Sequence, residues 1–217
     1  MHRQAERARR RTGRRGATTD EGSMHAMGRL ALAAALGAVV TAPAQGQVVR
    51  YTELPRFTVT STDLRNGARI ADRHVYKGFG CDGGNLSPQL SWKGFPAGTK
   101  SFAVLVFDPD APTLSGWWHW LVHDIPATVT SLPRGAGDPA KALLPAGSVQ
   151  TRTDFGAPGY GGPCPPPKDR PHTYRFIVVA LGVPKLEVPP NATAALVSFT
   201  IRANALAAGE VMGRYTR

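Results

Sequence analysis

The sequence predicts a mainly β chain, an antiparallel β-sandwich with a single C-terminal helix. Three observations point there. Apolar runs rich in aromatic and β-branched residues recur at Ser101–Phe107, Trp117–Ile125 and Tyr174–Leu181, the composition of buried strands. Gly- and Pro-rich connections separate them, notably between Ser131 and Gly147. A helical period is clear in one place only, after Pro189-Pro190. Many strands joined by turns with little helix favour a sandwich over an α/β fold.

Taken in order, Val48 to Arg56 reads as an extended lead-in, and Phe57–Ser61 alternates as a strand does. Weaker strands are expected at His74–Tyr76, Leu90–Trp92 and Val149–Thr153. Asn191-Ala192-Thr193 offers caps for the helix, in which Leu196, Phe199, Ala203 and Leu206 recur at helical spacing and are expected to pack on the core. Gly209 fits the helix end, with a last strand over Val211–Tyr215. There is no internal repeat, and 217 residues suggest one domain.

The first 44 residues have a different character. Arg3 to Arg15 holds seven arginines, and the eleven apolar residues Leu30–Val40 precede Ala42-Pro43-Ala44. Eleven residues are too few to span a bilayer but suit a secretory signal with a small-x-small cleavage site. The expected division is therefore a basic leader and signal peptide at 1–44, a lead-in at 45–56 and the folded domain at 57–217. The expected location is periplasmic or secreted, with no transmembrane span in the mature chain. Of the net charge of +11, the leader's eight Lys/Arg and three Asp/Glu account for +5, leaving +6. That moderate, unclustered charge suits anionic ligands or surfaces. It carries no helix-turn-helix, zinc or RNP signature, so no nucleic-acid partner is expected.

Candidate chemistry concentrates in two segments. Ser101–Phe107 ends at Asp108, and Pro109 and Pro112 force the chain to turn around Asp110. Two neighbouring carboxylates tend to share a proton unless a cation relieves them; the alternative is a turn in which they cap backbone N–H groups. In Trp117–Ile125, His119 and His123 would share one face of a strand about 13 Å apart, too far to bind one metal. Either could also be a core histidine bonded to a backbone carbonyl, the role expected of His123. Gly159, Gly161 and Gly162 permit unusual backbone angles, and prolines from Pro163 to Pro167 stiffen a loop able to present N–H groups to an anion. His172 opens the strand that follows. Cys81 and Cys164, an even count in an exported chain, favour a disulfide. Two free thiols, or a reactive Cys164 with His172 as base, are the other readings.

These motifs resemble, in order, those of the phosphatidylethanolamine-binding or Raf-kinase-inhibitor-like proteins, particularly the bacterial branch. The likeness runs from about Phe57 to Arg217: Gly78–Pro88, Leu90–Trp92, Phe95–Phe102, Asp108–Pro112, Gly116–Trp120 and the Gly159–His172 loop. It implies the sandwich of that family. It also implies a pocket for a small anion, phosphate or a lipid-headgroup-like group, lined by Asp108, Asp110, His119 and His172. Pro112 and Trp118 or Trp120 would form its rim, and Gly161, Gly162 and Pro163 its loop wall. It places both cysteine loops beside that pocket. The eukaryotic members' C-terminal pocket tyrosine has no counterpart in Thr193–Arg217.

The expected function is binding without catalysis, with no cofactor and no metal. A protein partner is a second possibility, with the chain as an inhibitor of a kinase or protease, although an exported protein would not meet a cytosolic kinase. A phosphoester hydrolase is a third, against which stands the lack of a G-x-S-x-G elbow or dense metal-ligand spacing.

Overall fold

The structure is a computed structural model that describes residues 51–217. The expected leader, its cleavage pattern and the first residues of the lead-in lie outside the described residues. The strands are β1 (Thr58–Thr60), β2 (Lys77–Gly78), β3 (Cys81–Asp82), β4 (Leu90–Lys93), β5 (Ser101–Asp108), β6 (Trp117–Pro126), β7 (Ser131–Leu132), β8 (Val149–Gln150) and β9 (His172–Leu181). The helix α1 (Ala194–Ala203) and the strand β10 (Ala205–Tyr215) complete the chain. The central sheet has the order β10-β9-β5-β6-β8, a smaller sheet the order β1-β4-β7, and β2-β3 is a short hairpin. Every strand pairing within these sheets is antiparallel. Among the described residues no helix is long and apolar enough to cross a membrane.

The near-continuous apolar sequence of β5 and β9 follows from burial on both faces. On one face, Phe102, Val104, Trp120, Phe176 and Val178 meet Leu90 and Trp92 of β4 and Leu132 of β7, closing the sandwich. On the other, Ala103, Leu105, Leu121, Ile177 and Val179 meet Val197 and Ile201 of α1 and Leu186 of the loop before it. Each such side chain, fully buried, contributes roughly 1.5–3 kcal/mol.

β6 is irregular in two places. Val106 pairs with Trp120 and Phe107 with Trp118, leaving His119 as an extra residue. Phe102 pairs with Ile125 and Val104 with Val122, so His123 and Asp124 together oppose Ala103. Asp124 takes φ +58°, the left-handed conformation that short polar residues tolerate. Each β-bulge shifts the alternation by one residue. His119 therefore packs beside Tyr174 on the small-sheet side, while His123 follows Leu121 on the helix side. The expectation that the two histidines share a face fails for this reason.

Other elements depart from expectation. His74 ends a 3-10 turn, Asp72–His74, and starts no strand. The Val149–Thr153 strand is confined to Val149–Gln150. The lead-in curls into a 3-10 turn at Tyr51–Glu53, with the Tyr51 hydroxyl donating to Ser198 O at 2.8 Å. Thr193 caps α1 by accepting from Leu196 N. The helix nonetheless buries Ala194, Val197 and Ile201, while Leu196 and Phe199 are exposed. Both faces of this segment are apolar, so periodicity alone could not choose between them. Gly209 lies inside β10, where a Cβ would come within 2.4 Å of Phe57 O. A backbone atom fixed by a neighbouring strand cannot yield, so Gly209→Ala is expected to cost about 1–3 kcal/mol. Urea unfolding checks this, and a smaller change would show that Phe57 moves freely.

Candidate functional site

The turn after β5 is built from its own carboxylates. Asp108 Oδ1 accepts from Asp110 N at 2.8 Å, and Asp110 Oδ2 accepts from Thr173 N at 2.7 Å, tying the turn to the start of β9. The two acids do not meet each other, because each has its own basic partner. Asp108 Oδ2 lies 2.8 Å from His172 Nδ1, and Asp110 Oδ1 lies 2.8 Å from Arg170. Partial burial opposes ionisation of Asp110, but Thr173 N–H and Arg170 outweigh it and hold its pKa below the usual value. Both sequence readings of the turn hold at once: the carboxylates cap backbone groups and also pair with charge.

His172 is buried, with a carboxylate on each ring nitrogen: Asp108 at 2.8 Å on Nδ1 and Asp169 at 3.1 Å on Nε2. Burial alone would depress its pKa. The hydrogen bonds and charges of Asp108 and Asp169 overcome that and raise it, favouring the imidazolium. His119 is the opposite case. It is buried and donates Nδ1–H to Gly161 O at 2.7 Å, since a carbonyl can only accept. Burial outweighs that bond and the nearby Asp108 charge, and its pKa falls below the usual histidine value. Its Nε2 is then a bare acceptor, and it has no partner.

Asp108, His119 and His172 line a cavity of about 170 Å³ together with Pro112, Thr113, Trp117, Phe155 and Tyr174. The Tyr174 hydroxyl and Trp117 Nε1 are buried and make no hydrogen bond of good geometry among the described residues. Burial, then the Asp108 charge and its hydrogen-bonding pull on the hydroxyl, push the Tyr174 phenol pKa up, so it stays protonated as a donor beside that carboxylate. The cavity thus gathers the Trp117 and Tyr174 donors and the His119 Nε2 acceptor beside His172. Phe155 closes one side, edge-on to His119 at 5.3 Å and to Trp117 at 5.5 Å.

Of the residues expected at the site, Asp108, Pro112, His119 and His172 line the cavity, whereas Asp110 braces it from behind. Gly161 and Gly162 do not offer N–H groups to a ligand. Gly161 N donates to His119 O and Gly162 N to Asn85 Oδ1. They are glycines for lack of room: a Cβ would stand 2.3 Å from the Phe155 ring and 2.0 Å from His74 O, respectively. Only Gly159 of the three has a positive φ, +111°. Pro163 takes no part in the lining; its carbonyl accepts from Tyr76 N. Trp118 packs on Phe107 and Trp120 is fully buried. The rim tryptophan is therefore Trp117, because the bulge at His119 turns its neighbours away. Cys81 and Cys164 form a disulfide joining the β3 loop to the cavity wall. His123 sits on the far face, 2.9 Å from its neighbour Asp124 rather than on a backbone carbonyl. Sequence reasoning missed Tyr174, Trp117 and Phe155 as lining residues. The register of Tyr174, two residues after His172 on β9, was the available signal.

The two histidines pull stability in opposite directions with pH. His172, raised, contributes stability that is full below about pH 6.5 and is lost as pH rises through its folded pKa. His119, lowered, contributes stability that is full above about pH 6.5 and is lost as pH falls towards its folded pKa. Asp169→Asn is therefore expected to destabilise more at about pH 5.5 than at about pH 9. Thermal melts across that range check it, and an equal loss at both ends would detach Asp169 from His172.

Comparison with known proteins shows the family and the fold. The model of the family described as phosphatidylethanolamine-binding protein matches residues 60–216. UPF0098 protein YbcL of Escherichia coli K12 is 54% identical over 159 residues, 73% of this chain and 87% of that one. A UPF0098 protein of Aquifex aeolicus is 39% identical over 159 residues, 73% of this chain and 88% of that one. The crystal structure of E. coli YbcL, described as a new member of the mammalian PEBP family, superposes with a TM-score of 0.73 at 52% identity. It covers 75% of this chain and 99% of that one. The chain belongs to the phosphatidylethanolamine-binding protein family.

Proposed function

We propose that the protein is an exported, non-enzymatic binder of a small anion that carries one proton, such as a phosphate or phosphomonoester monoanion. A carboxylic acid and a lipid headgroup phosphate share that chemistry. The observation that carries the reading is the set of unpartnered buried atoms around one cavity: His119 Nε2, Tyr174 Oη and Trp117 Nε1. Buried polar groups left without partners cost about 1–3 kcal/mol each, so such a cluster favours a polar ligand or water. The acid proton goes to His119 Nε2, and the anionic oxygens accept from Tyr174 and Trp117. His172 supplies positive charge through its edge, but its donors are already held by Asp108 and Asp169. Those carboxylates disfavour a fully ionised dianion, which is why the ligand must bring a proton.

Binding rather than turnover is supported by the state of the nucleophiles. Cys164 is held in the disulfide, and Thr113 donates its hydroxyl to Gly116 O at 2.6 Å. Export is supported by the signal-like sequence at 30–44 and by the use of both cysteines in a disulfide, which suits an oxidising compartment.

Calorimetric titration with inorganic phosphate tests the site. Affinity is expected to fall as pH rises from about 5 to 8, because the ligand's proton is lost near pH 6–7 and His172 loses charge higher up. Tyr174→Phe is expected to weaken binding about tenfold, the worth of a hydrogen bond to a charged group, and His119→Ala at least as much. Phosphate binding unchanged in both variants would remove this cavity from consideration, and steady release of phosphate from p-nitrophenyl phosphate would reinstate the hydrolase.

For export, the N-terminus of the mature protein is expected at Gln45 or within a few residues of it. N-terminal sequencing of periplasmic or extracellular material decides this, and a full-length cytoplasmic product would refute it.

A further inference from the structure

The second bulge of β6 presents a site that the anion pocket does not account for. It sets His123 and Asp124 side by side, with Asp124 at φ +58° and His123 Nδ1 2.9 Å from Asp124 Oδ1. His123 is 3% exposed, and among the described residues neither of its ring nitrogens makes a hydrogen bond, the approach to Asp124 being a charge contact only. Val122 pairs with Gln150 and His123 with Val149, and Thr151 N donates to Leu121 O. Thr151 is thereby the diagonal cross-strand neighbour of His123 on the same face. Its hydroxyl is likewise buried and unpartnered. Both residues, with Asp124, line a cavity of about 450 Å³ closed on the other side by the loop before α1.

We propose that His123, Asp124 and Thr151 form a second binding site, for a small neutral polyhydroxylated molecule of the sugar or polyol class. An imidazole and a hydroxyl that can each give or take a hydrogen bond suit a ligand hydroxyl, which does the same. Asp124 disfavours an anion, and Arg152, which lines the same cavity, disfavours a cation. Leu186, Val188 and Pro189 supply an apolar wall for the C–H face of a sugar ring. Asp124 Oδ1 also accepts from Leu186 N at 2.9 Å, so the dyad itself anchors the loop that closes the cavity. The site faces the helix layer and does not depend on the anion reading.

Nuclear magnetic resonance of protein labelled in the histidine rings tests it, with ribose, glucose and myo-inositol as probes and inorganic phosphate as control. The His123 Cε1–H signal is expected to move saturably with at least one polyol at roughly millimolar affinity and to ignore phosphate. Phosphate should move His119 and His172 alone; silence there would count against the anion pocket and leave the His123 result intact. Thr151→Val is expected to weaken the polyol response about fivefold, the worth of one neutral hydrogen bond, with Thr151→Ser retaining it. A His123 signal unmoved by all three polyols overturns the proposal and assigns the cavity to water. A response equal in wild type and Thr151→Val also overturns it. The wild-type titration decides alone if Thr151→Val does not fold.

Discussion

A β-strand sends successive side chains to opposite faces, so a buried polar residue can be aimed out of register only by inserting an extra residue. β6 does this twice, and much of the site chemistry depends on it. The first insertion frees His119 from pairing and turns Trp117 into the cavity while Trp120 stays in the core. The second puts His123 and Asp124 together against the helix layer. Between them, β6 remains an ordinary central strand whose pairing with β5 holds both histidines in place. The sheet therefore acts as a rigid frame, with local departures from ideal pairing only where polar groups are needed.

The charge pattern at the strand ends complements that frame. His172 lies between Asp108 of β5 and Asp169 of the preceding loop, so its imidazolium links three segments at one point. Removing one member of such a buried pair leaves an uncompensated charge, which is far more damaging than the pair is stabilising. His119, which also feels the Asp108 charge, bonds a carbonyl instead, and its burial favours the neutral ring. The pKa values of two histidines in one cavity are thus pushed in opposite directions by their surroundings.

The fold class was legible because it rests on long apolar runs. Ser101–Phe107, Trp117–Ile125 and Tyr174–Leu181 became β5, β6 and β9 with ends within two residues. Asp108, Pro112, His119 and His172 stood out as polar or stiffening residues near strand ends and loops, but it was the family resemblance that brought them to one cavity. What failed shares one cause. The face a residue occupies depends on register, and register changed at bulges that a composition of Trp, His and Val does not mark. His119 and His123 were placed on one face, and the rim was assigned to Trp118 or Trp120, for that reason. The α1 stripe failed for a related one: with apolar residues on both sides, periodicity reports a helix but not its orientation. Gly161 and Gly162 were read as donors of N–H groups, although their actual constraint, the absence of room for a Cβ, is visible only once Phe155 and His74 are in position.

That constraint also explains how a cavity with unspent polar atoms persists. Polar groups lining a soft wall would find one another. Here the wall is held from behind. Gly162 is in backbone contact with His74 O, and its N–H is held by Asn85. Asn85 also donates to Tyr160 O, and the Tyr160 hydroxyl donates to His74 O, completing a ring of bonds behind the pocket. The Cys81–Cys164 disulfide fixes the outer edge of the same wall. His119 is held through Gly161 O, edge-on to the Tyr174 ring. The cost of leaving these atoms unpaired is therefore offset by bonds elsewhere in the loop, which hold the cavity wall in place.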